Sequence, residues 1–515
     1  VRDALWALRN DRLRTAREVA ALAGPTAPAS ALAAYLAVQE ALSGLDRLEV
    51  RGRDSAGVHV YVRGPGIDLT SPAVIAALAE RGADPLFGSG TVRVVDGVVG
   101  FVYKAAAEIG ELGDNVRAMR AEIAADDLFR RAVSGESAEV VVLGHTRWAS
   151  VGIISAANAH PLDATEVDRR PGVHVTAALN GDVDNFADLK ATHGLRIRPE
   201  ITTDAKVIPT LVARAIEEGN DIVEAFRRSV EQMEGSIAIA AQIARAPEQL
   251  HLALRGSGQA LYVGVAEDLF VVASEPYGLV ELADRYLRLD GETPADPGNP
   301  TGSRGQIVVL DATRAGTVAG IDRRSFDGSG LPVDDDDLAA TQITTRDIDR
   351  GDFPHYLLKE ISESPASFRK TLRGKVVSRG SALHVEIGRE ALPQTVRDAL
   401  RSGAIRRVCV IGQGTAAVAG QALALALGRA LGENGPTVEC LPATELSAFH
   451  LRSDLRDTLV VAISQSGTTT DTNRTVDLVR ARGAAVLAIV NRRNSDLTDR
   501  ADGVLYTSDG RDVEM

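Results

Sequence analysis

The sequence predicts two dissimilar folds in series: an α+β domain built on stacked sheets, then an α/β domain with a doubly wound parallel sheet. Three observations carry this. In the first part, strands and helices come in separate blocks and not in a repeating βαβ rhythm. From Ile405 onward, near-continuous apolar strands alternate with helices, the pattern of a parallel sheet covered on both faces. Between the two, residues 325–352 are turn-rich and acidic, with Asp327-Gly328-Ser329-Gly330 and Asp334 to Asp337, and read as a linker.

The first domain, residues 1–324, opens with helix over 1–44, where apolar positions recur at helical spacing and Gly24-Pro25 and Pro28 punctuate the middle. Strands follow at Val58–Val62, Thr91–Val102 and Val140–Leu143, with a helical stretch over Ala105–Arg131. A second β-rich block comprises Val173–Leu179, Ile237–Ile243, Leu250–Leu254, Leu261–Val265, Leu269–Ala273 and Ile307–Asp311. Helices fit Phe186–His193, Thr203–Glu218 and Asp221–Gln232. In the second domain, 353–515, strands are expected at Val408–Ile411, Val438–Leu441, Leu459–Ser464, Ala485–Val490 and Val504–Thr507. Helices are expected at Thr415–Leu431 and Thr470–Arg482.

Composition narrows the function. The chain has 515 residues, 45% hydrophobic and 25% charged, which excludes collagen-like, disulfide-scaffold and wholly disordered proteins. Its 57 basic and 70 acidic residues leave a net charge of −13, a poor balance for binding nucleic acid. Cys409 and Cys440 are the only cysteines, so a reducing compartment, the cytoplasm, is expected. Cys409 falls in a buried strand and reads as a core thiol. No apolar run is long enough to span a bilayer, and Val1 to Glu18 lacks a signal-peptide layout. No histidine or cysteine pair has ligand spacing, so no metal is expected, and no cofactor.

Four short motifs carry chemistry. Ser464-Gln465-Ser466-Gly467-Thr468-Thr469 lies where a buried strand turns into a helix, a place where free N–H groups and hydroxyls hold phosphate. Gly412-Gln413-Gly414-Thr415 occupies a similar turn. Ala417 stands where a dinucleotide fingerprint would have its third glycine, so a monophosphate ligand is favoured. Gly144-His145-Thr146-Arg147-Trp148-Ala149 ends a strand with an arginine able to grip a carboxylate. Leu179-Asn180-Gly181-Asp182 ends another, with an amide and a glycine N–H able to hold an oxyanion. Taken singly, each motif also reads as an ordinary cap, turn or edge residue.

Together these stretches resemble one family, the glutamine-dependent amidotransferases of the glucosamine-6-phosphate synthase type (glutamine–fructose-6-phosphate aminotransferase). The matching segments are Arg47–Gly57, Gly144–Ala149, Asn158–Pro161, Leu179–Gly181 and Thr203-Asp204 with Val207-Ile208. They continue through Pro354–Ile361, Gly414-Thr415 and Ser464–Gly467 with Asp471-Thr472, in family order. The resemblance implies an N-terminal-nucleophile amidohydrolase domain of αββα layers, followed by a sugar-isomerase (SIS) domain. It implies that amide nitrogen passes from glutamine to fructose 6-phosphate, giving glucosamine 6-phosphate and glutamate in amino-sugar biosynthesis. Arg147 would clamp the glutamine carboxylate, Asp204 its amino group, and Trp148 would sit near the ammonia gate. Asn180 and Gly181 would form the oxyanion hole. Ser464, Gln465, Ser466 and Thr469 would hold the sugar phosphate, with Thr415 nearby. The partners implied are glutamine, a hexose phosphate and a second copy of the chain through its SIS domain, with no nucleic acid and no membrane.

The sequence also departs from that pattern. The family's nucleophile is an N-terminal cysteine, and no cysteine precedes Cys409. Both ends read as cut, with the nucleophile upstream of Val1 and a second SIS domain beyond Met515. Val151 replaces a histidine, Lys206 and Thr468 each a glutamate, Gln413 a cysteine and Ala416 a serine. Residues 63–143 and 162–173 are longer than the family's, and Pro65–Asp96 reads as an excursion. The alternative is a non-catalytic sugar-phosphate sensor with a relict glutaminase domain. A phosphoribosyl-type amidotransferase is disfavoured by the Ser464–Gly467 turn.

Overall fold

A computed structural model describes residues 2–106, 111–256, 259–291 and 305–507. The chain divides into two units, 1–346 and 347–515. In the first, the strands are β1 Ser55–Arg63, β2 Val92–Val95, β3 Val98–Ala105, β4 Glu139–Arg147, β5 Leu162–Asp163, β6 Val175–Gly181 and β7 Ile237–Ile243. They continue as β8 Gln249–Arg255, β9 Ala260–Val265, β10 Phe270–Ala273, β11 Arg285–Asp290, β12 Gln306–Asp311, β13 Ile321–Ser325 and β14 Leu338–Ala340.

The layers follow from alternation along the strands. In β1, Val58, Val60 and Val62 pack against Leu22, Tyr35, Leu42 and Met119 of the helices Leu13–Ala23, Ala29–Leu48 and Asp114–Ala125. The intervening His59 and Tyr61 face the other sheet: His59 Nδ1 lies 2.7 Å from Gln242 Oε1 on β7, and Tyr61 donates to the His174 carbonyl at 3.0 Å. On β7 the odd residues Ile237, Ile239, Ala241 and Ile243 turn the opposite way, onto the helices Val207–Glu217 and Ile222–Glu231. The result is helix, sheet β2-β3-β1-β4, sheet β13-β12-β8-β7-β6-β5, helix. That is the expected αββα arrangement. A further sheet, β10-β9-β11-β14, packs Leu261, Val263 and Leu287 onto Leu252, Leu254 and Val308.

Two expectations need correction. Thr91–Val102 is not one strand but the hairpin β2–β3, because Asp96 and Gly97 both take positive φ, the twist a two-residue hairpin turn requires. The linker expected over 325–352 begins too early. Ser325 pairs with Gln306, β14 pairs with β11, and the Thr345 hydroxyl donates to Asp11 at 2.5 Å, so residues up to 346 belong to the first unit. Turn-forming composition marked surface residues, and it could not tell a loop that returns to its own sheet from one that leaves. The expected helix over Ala105–Arg131 is found as Asp114–Ala125 and Asp127–Ala132, and its residues 107–110 lie outside the described set.

The second unit carries a hairpin, β15 Val376–Arg379 with β16 Ala382–Val385. Its main sheet comprises β17 Arg407–Gly412, β18 Thr437–Pro442, β19 Thr458–Ser464, β20 Ala485–Val490 and β21 Gly503–Tyr506. These five are parallel, in the order β18-β17-β19-β20-β21. Val408, Val410, Leu459 and Val461 pack on one face, with Leu423 and Leu427 of the helix Thr415–Leu431. Cys409, Ile411, Val460 and Ala462 pack on the other, with Val476 and Val479 of the helix Thr470–Arg480. Cys409 is thus a core residue, and burial pushes its thiol up to about 12, far from reactive. Sequence reading missed the helices Tyr356–Leu372, Gln394–Arg401 and Ala443–Phe449.

Candidate active site

The first site forms around the carboxyl end of β4. Antiparallel pairing sets Ser55 opposite Arg147, and Asp54, just before β1, accepts the Ala149 N–H at 2.8 Å. Gly52 permits this closeness: a Cβ there would stand 2.9 Å from the Trp148 nitrogen. The Arg147 guanidinium is buried. It donates to the carbonyls of Val151, Gly152 and Ile153, so the loop after the strand folds over it. Burial lowers its pKa, and the opposite charges of Asp204 and Asp54 hold it up. Trp148 projects outward, 76% exposed.

Asp204 is also buried. Its carboxylate accepts the Val183 N–H at 2.7 Å and the Thr203 hydroxyl at 3.2 Å, and desolvation raises its pKa. Asn158 places this segment, its Oδ1 accepting the N–H groups of Thr202 (2.8 Å) and Thr203 (3.1 Å). Asn180 ends β6 with its side chain exposed. Gly181 beside it has φ +116°, and a Cβ there would fall 1.9 Å from the Ser236 carbonyl, so only glycine fits.

Below lie His145 and His160, ring centres 4.6 Å apart. Burial keeps both neutral, His145 near pKa 4 and His160 well below its ordinary value. The Leu179 N–H donates to His160 Nδ1 at 3.3 Å, which leaves the ring proton on Nε2, 3.4 Å from the Thr203 hydroxyl. Two buried polar atoms here, Ser55 Oγ and His145 Nδ1, have no partner among the described residues. Sequence reading assigned no role to Asp54, Asn158 or His160, although all three stand inside the matching segments.

The second site is built within the second unit from two adjacent turns. β17 and β19 are neighbours, so the turns at their carboxyl ends share one edge of the sheet. Ser464 is buried, and its Oγ accepts the Gly467 N–H at 3.0 Å and lies 3.3 Å from the Thr469 hydroxyl. Ser466 Oγ accepts the Thr468 N–H at 3.2 Å. Gly467, at φ +68°, would drive a Cβ to 2.0 Å from Ser495 Oγ. Thr469 precedes the helix Thr470–Arg480 without capping it through its side chain. Gln465 is exposed at the tip, as is Thr415 at the start of its own helix. Gln413 ties the turns together, its amide donating to Thr444 at 3.2 Å and Asp471 at 3.4 Å, with its Oε1 buried and unpartnered among the described residues.

Fold and sites together define a class: an αββα amidohydrolase-type unit joined to a unit of the SIS kind. The SIS domain family matches residues 404–514. The sequence is 33% identical over 382 residues to glutamine–fructose-6-phosphate aminotransferase [isomerizing] of Symbiobacterium thermophilum, covering 73% of this chain and 55% of that protein. It is 30% identical over 482 residues to the enzyme of the same name from Pyrobaculum aerophilum, covering 91% and 62%. A solved structure, the glutamine phosphoribosylpyrophosphate amidotransferase of B. subtilis, is similar at 15% identity with a TM-score of 0.35, over 91% of this chain and 88% of that one. The chain belongs to the glutamine–fructose-6-phosphate aminotransferase family, and spans 55–62% of the length of those two relatives.

Proposed function

We propose that this chain contributes to transfer of the amide nitrogen of glutamine to fructose 6-phosphate, forming glucosamine 6-phosphate and glutamate. The observation that carries the reading is the pairing of a buried Arg147 and a buried Asp204 in one unit with a hydroxyl-lined strand-to-helix turn in the other. A free amino acid needs opposite charges for its carboxylate and amino groups, and Arg147 and Asp204 supply them. The oxyanion of amide attack would meet the Asn180 side chain and the Gly181 N–H. The Trp148 ring, outside the clamp, would lie over the exit for ammonia.

At the second site the helix N-terminus, Ser464, Ser466 and Thr469 hold the sugar phosphate, with Gln465 and Thr415 at the rim. A second copy of the chain is the expected partner, through apolar side chains exposed on the second unit, among them Leu357, Ile361 and Phe368 of one helix. The reaction belongs in the cytoplasm, where the free thiols Cys409 and Cys440 would stay reduced.

Amide attack also needs a nucleophile, and both thiols lie in the second unit, on β17 and β18. The 515 residues alone are therefore expected to bind fructose 6-phosphate but to release no ammonia from glutamine. Calorimetry and an ammonia assay check both halves. Heat-silent fructose 6-phosphate overturns the sugar reading, and clear glutamine turnover overturns the account of the nucleophile.

A further inference from the structure

A cavity of about 330 Å³ opens in the first unit, lined by none of the residues of the glutamine subsite. It is built by the two segments whose length the sequence left unexplained. One runs through the helix Pro72–Gly82 into β2, and the other spans residues 164–174 after β5. One wall is apolar, with Leu69, Ile75 and Leu78, and Ile75 is half exposed at the mouth. The other wall carries Arg93, Arg170 and His174.

The charges on that wall are unbalanced. Arg93, 5% exposed, donates to the Gly82 carbonyl at 2.9 Å, to the Asp84 carbonyl at 2.8 Å and to the Asp163 carboxylate at 3.2 Å. Arg170 Nη2 donates to the same Gly82 carbonyl at 2.7 Å, so two guanidiniums converge on one oxygen. The carboxylate that Arg93 meets is already shared, because Lys206 Nζ lies 3.1 Å from Asp163 Oδ1. The Asp84 carboxylate is taken up by the N–H groups of Leu86 and Gly88. Among the described residues Arg170 forms no ion pair. His174, four residues on, is buried, and its Nε2 has no partner among the described residues. Phe87 fixes this wall from behind, with the Arg93 guanidinium 5.3 Å from its ring centre and the His174 ring 5.7 Å away.

We propose that this cavity is a second binding site, for a small monocarboxylate with an apolar body. The head group meets Arg170 at the rim, and the body lies on Leu69, Ile75 and Leu78. A single negative charge suits it, because Arg93 is already committed to Asp163 and Arg170 is the guanidinium left without a counter-ion. The volume lies at the small end of the range for small-molecule sites, about 300–1,000 Å³. The inference does not rest on the glutamine reading.

The test is calorimetry on the full chain with hexanoate, acetate and hexan-1-ol. Hexanoate is expected to bind saturably at one site, with acetate and hexan-1-ol each at least about tenfold weaker, as charge and apolar contact are removed in turn. Arg170→Ala, whose side chain is exposed and outside the catalytic machinery, should weaken hexanoate about tenfold with an unchanged melting temperature. Leu78→Asp should weaken it as well, by setting a carboxylate against the head group. Added glutamine should leave hexanoate binding unchanged. No saturable hexanoate binding, equal binding of hexan-1-ol, an unaffected Arg170→Ala variant, or displacement of hexanoate by glutamine would each overturn the proposal.

Discussion

The two units hold polar groups in opposite ways. In the first, charges and imidazoles are buried between sheets: His59, Lys104, Arg93, Asp163, Lys206 and His174 are all nearly inaccessible. In the second, the candidate site lies in turns at the carboxyl edge of a sheet whose interior is mostly aliphatic, with no charged side chain in its core clusters, and its three histidines are exposed. A layered fold that sandwiches its polar site must desolvate it and pair it internally. A doubly wound sheet holds a ligand with backbone N–H groups, which are satisfied whether or not the core is perfect. The first arrangement is therefore sensitive to pH and to loss of a partner, and the second to local turn geometry.

The largest expected difference is in acid. Burial holds His59, His145 and His251 neutral down to about pH 4. Their folded pKa values lie below the unfolded value, so the unfolded state takes up protons first. Stability is intact above pH 6.5 and is lost as pH falls toward 4, by up to about 3 kcal/mol per ring. Glu40 works the other way, since burial raises it to about 7, and it offsets roughly one ring. Trp6 and Trp148 are the only tryptophans and both lie in the first unit, so denaturant melts followed by their fluorescence report that unit alone. Their midpoint should fall steeply from pH 7 to 4, while fructose 6-phosphate binding persists at the second unit. Parallel loss of both would break the contrast.

A second expectation isolates the buried ion cluster. Asp163 is the shared counter-ion of Arg93 and Lys206, which hold its carboxyl far below the usual range. Asp163→Asn leaves two buried cations uncompensated and should cost about 3–5 kcal/mol in the tryptophan-detected transition. A loss under 1 kcal/mol would mean that water already reaches the cluster.

The same contrast governs what could be read from the sequence. The strand-to-helix turn over residues 464–469 was legible because its parts are contiguous: a buried strand, two serines, a glycine and a threonine at a helix start. Arg147, Asn180-Gly181 and Asp204 were singled out only through short motifs of the family, since they stand on separate segments with no local pattern to link them. Asp54, Asn158 and His160 carried no signal of their own, because each acts by holding a neighbour's backbone or hydroxyl. The cluster around Asp163 was invisible, as no local pattern distinguishes a lysine such as Lys206, buried against a partner 43 residues away, from a solvated one.

A third expectation separates charge from shape at the proposed glutamine subsite. Arg147→Lys keeps a cation but cannot span three carbonyls and a carboxylate together, so glutamine affinity should fall at least about tenfold. Fructose 6-phosphate affinity should not change. Equal glutamine binding by the variant would show that charge alone suffices there, and that the carbonyl contacts serve only the loop.

The smallest expected effect tests the turn itself. Ser466 is half-buried, and its Oγ accepts from the Thr468 N–H at 3.2 Å and the Thr468 hydroxyl at 3.0 Å. Those bonds leave the Ser466 hydroxyl proton free to point at an anion on the helix N-terminus. Ser466→Ala removes that donor, while Ser464 and the Gly467 backbone keep the turn in place. Fructose 6-phosphate affinity should fall by about 1–3 kcal/mol, the range for a hydrogen bond to a charged group. The tryptophan-detected transition of the first unit should stay where it was. Unchanged affinity would move the phosphate off this hydroxyl, leaving the backbone N–H groups and Thr469 to hold it. A loss well beyond that range would mean that the turn depends on Ser466 for its shape, and that the second unit shares the first unit's dependence on internal pairing.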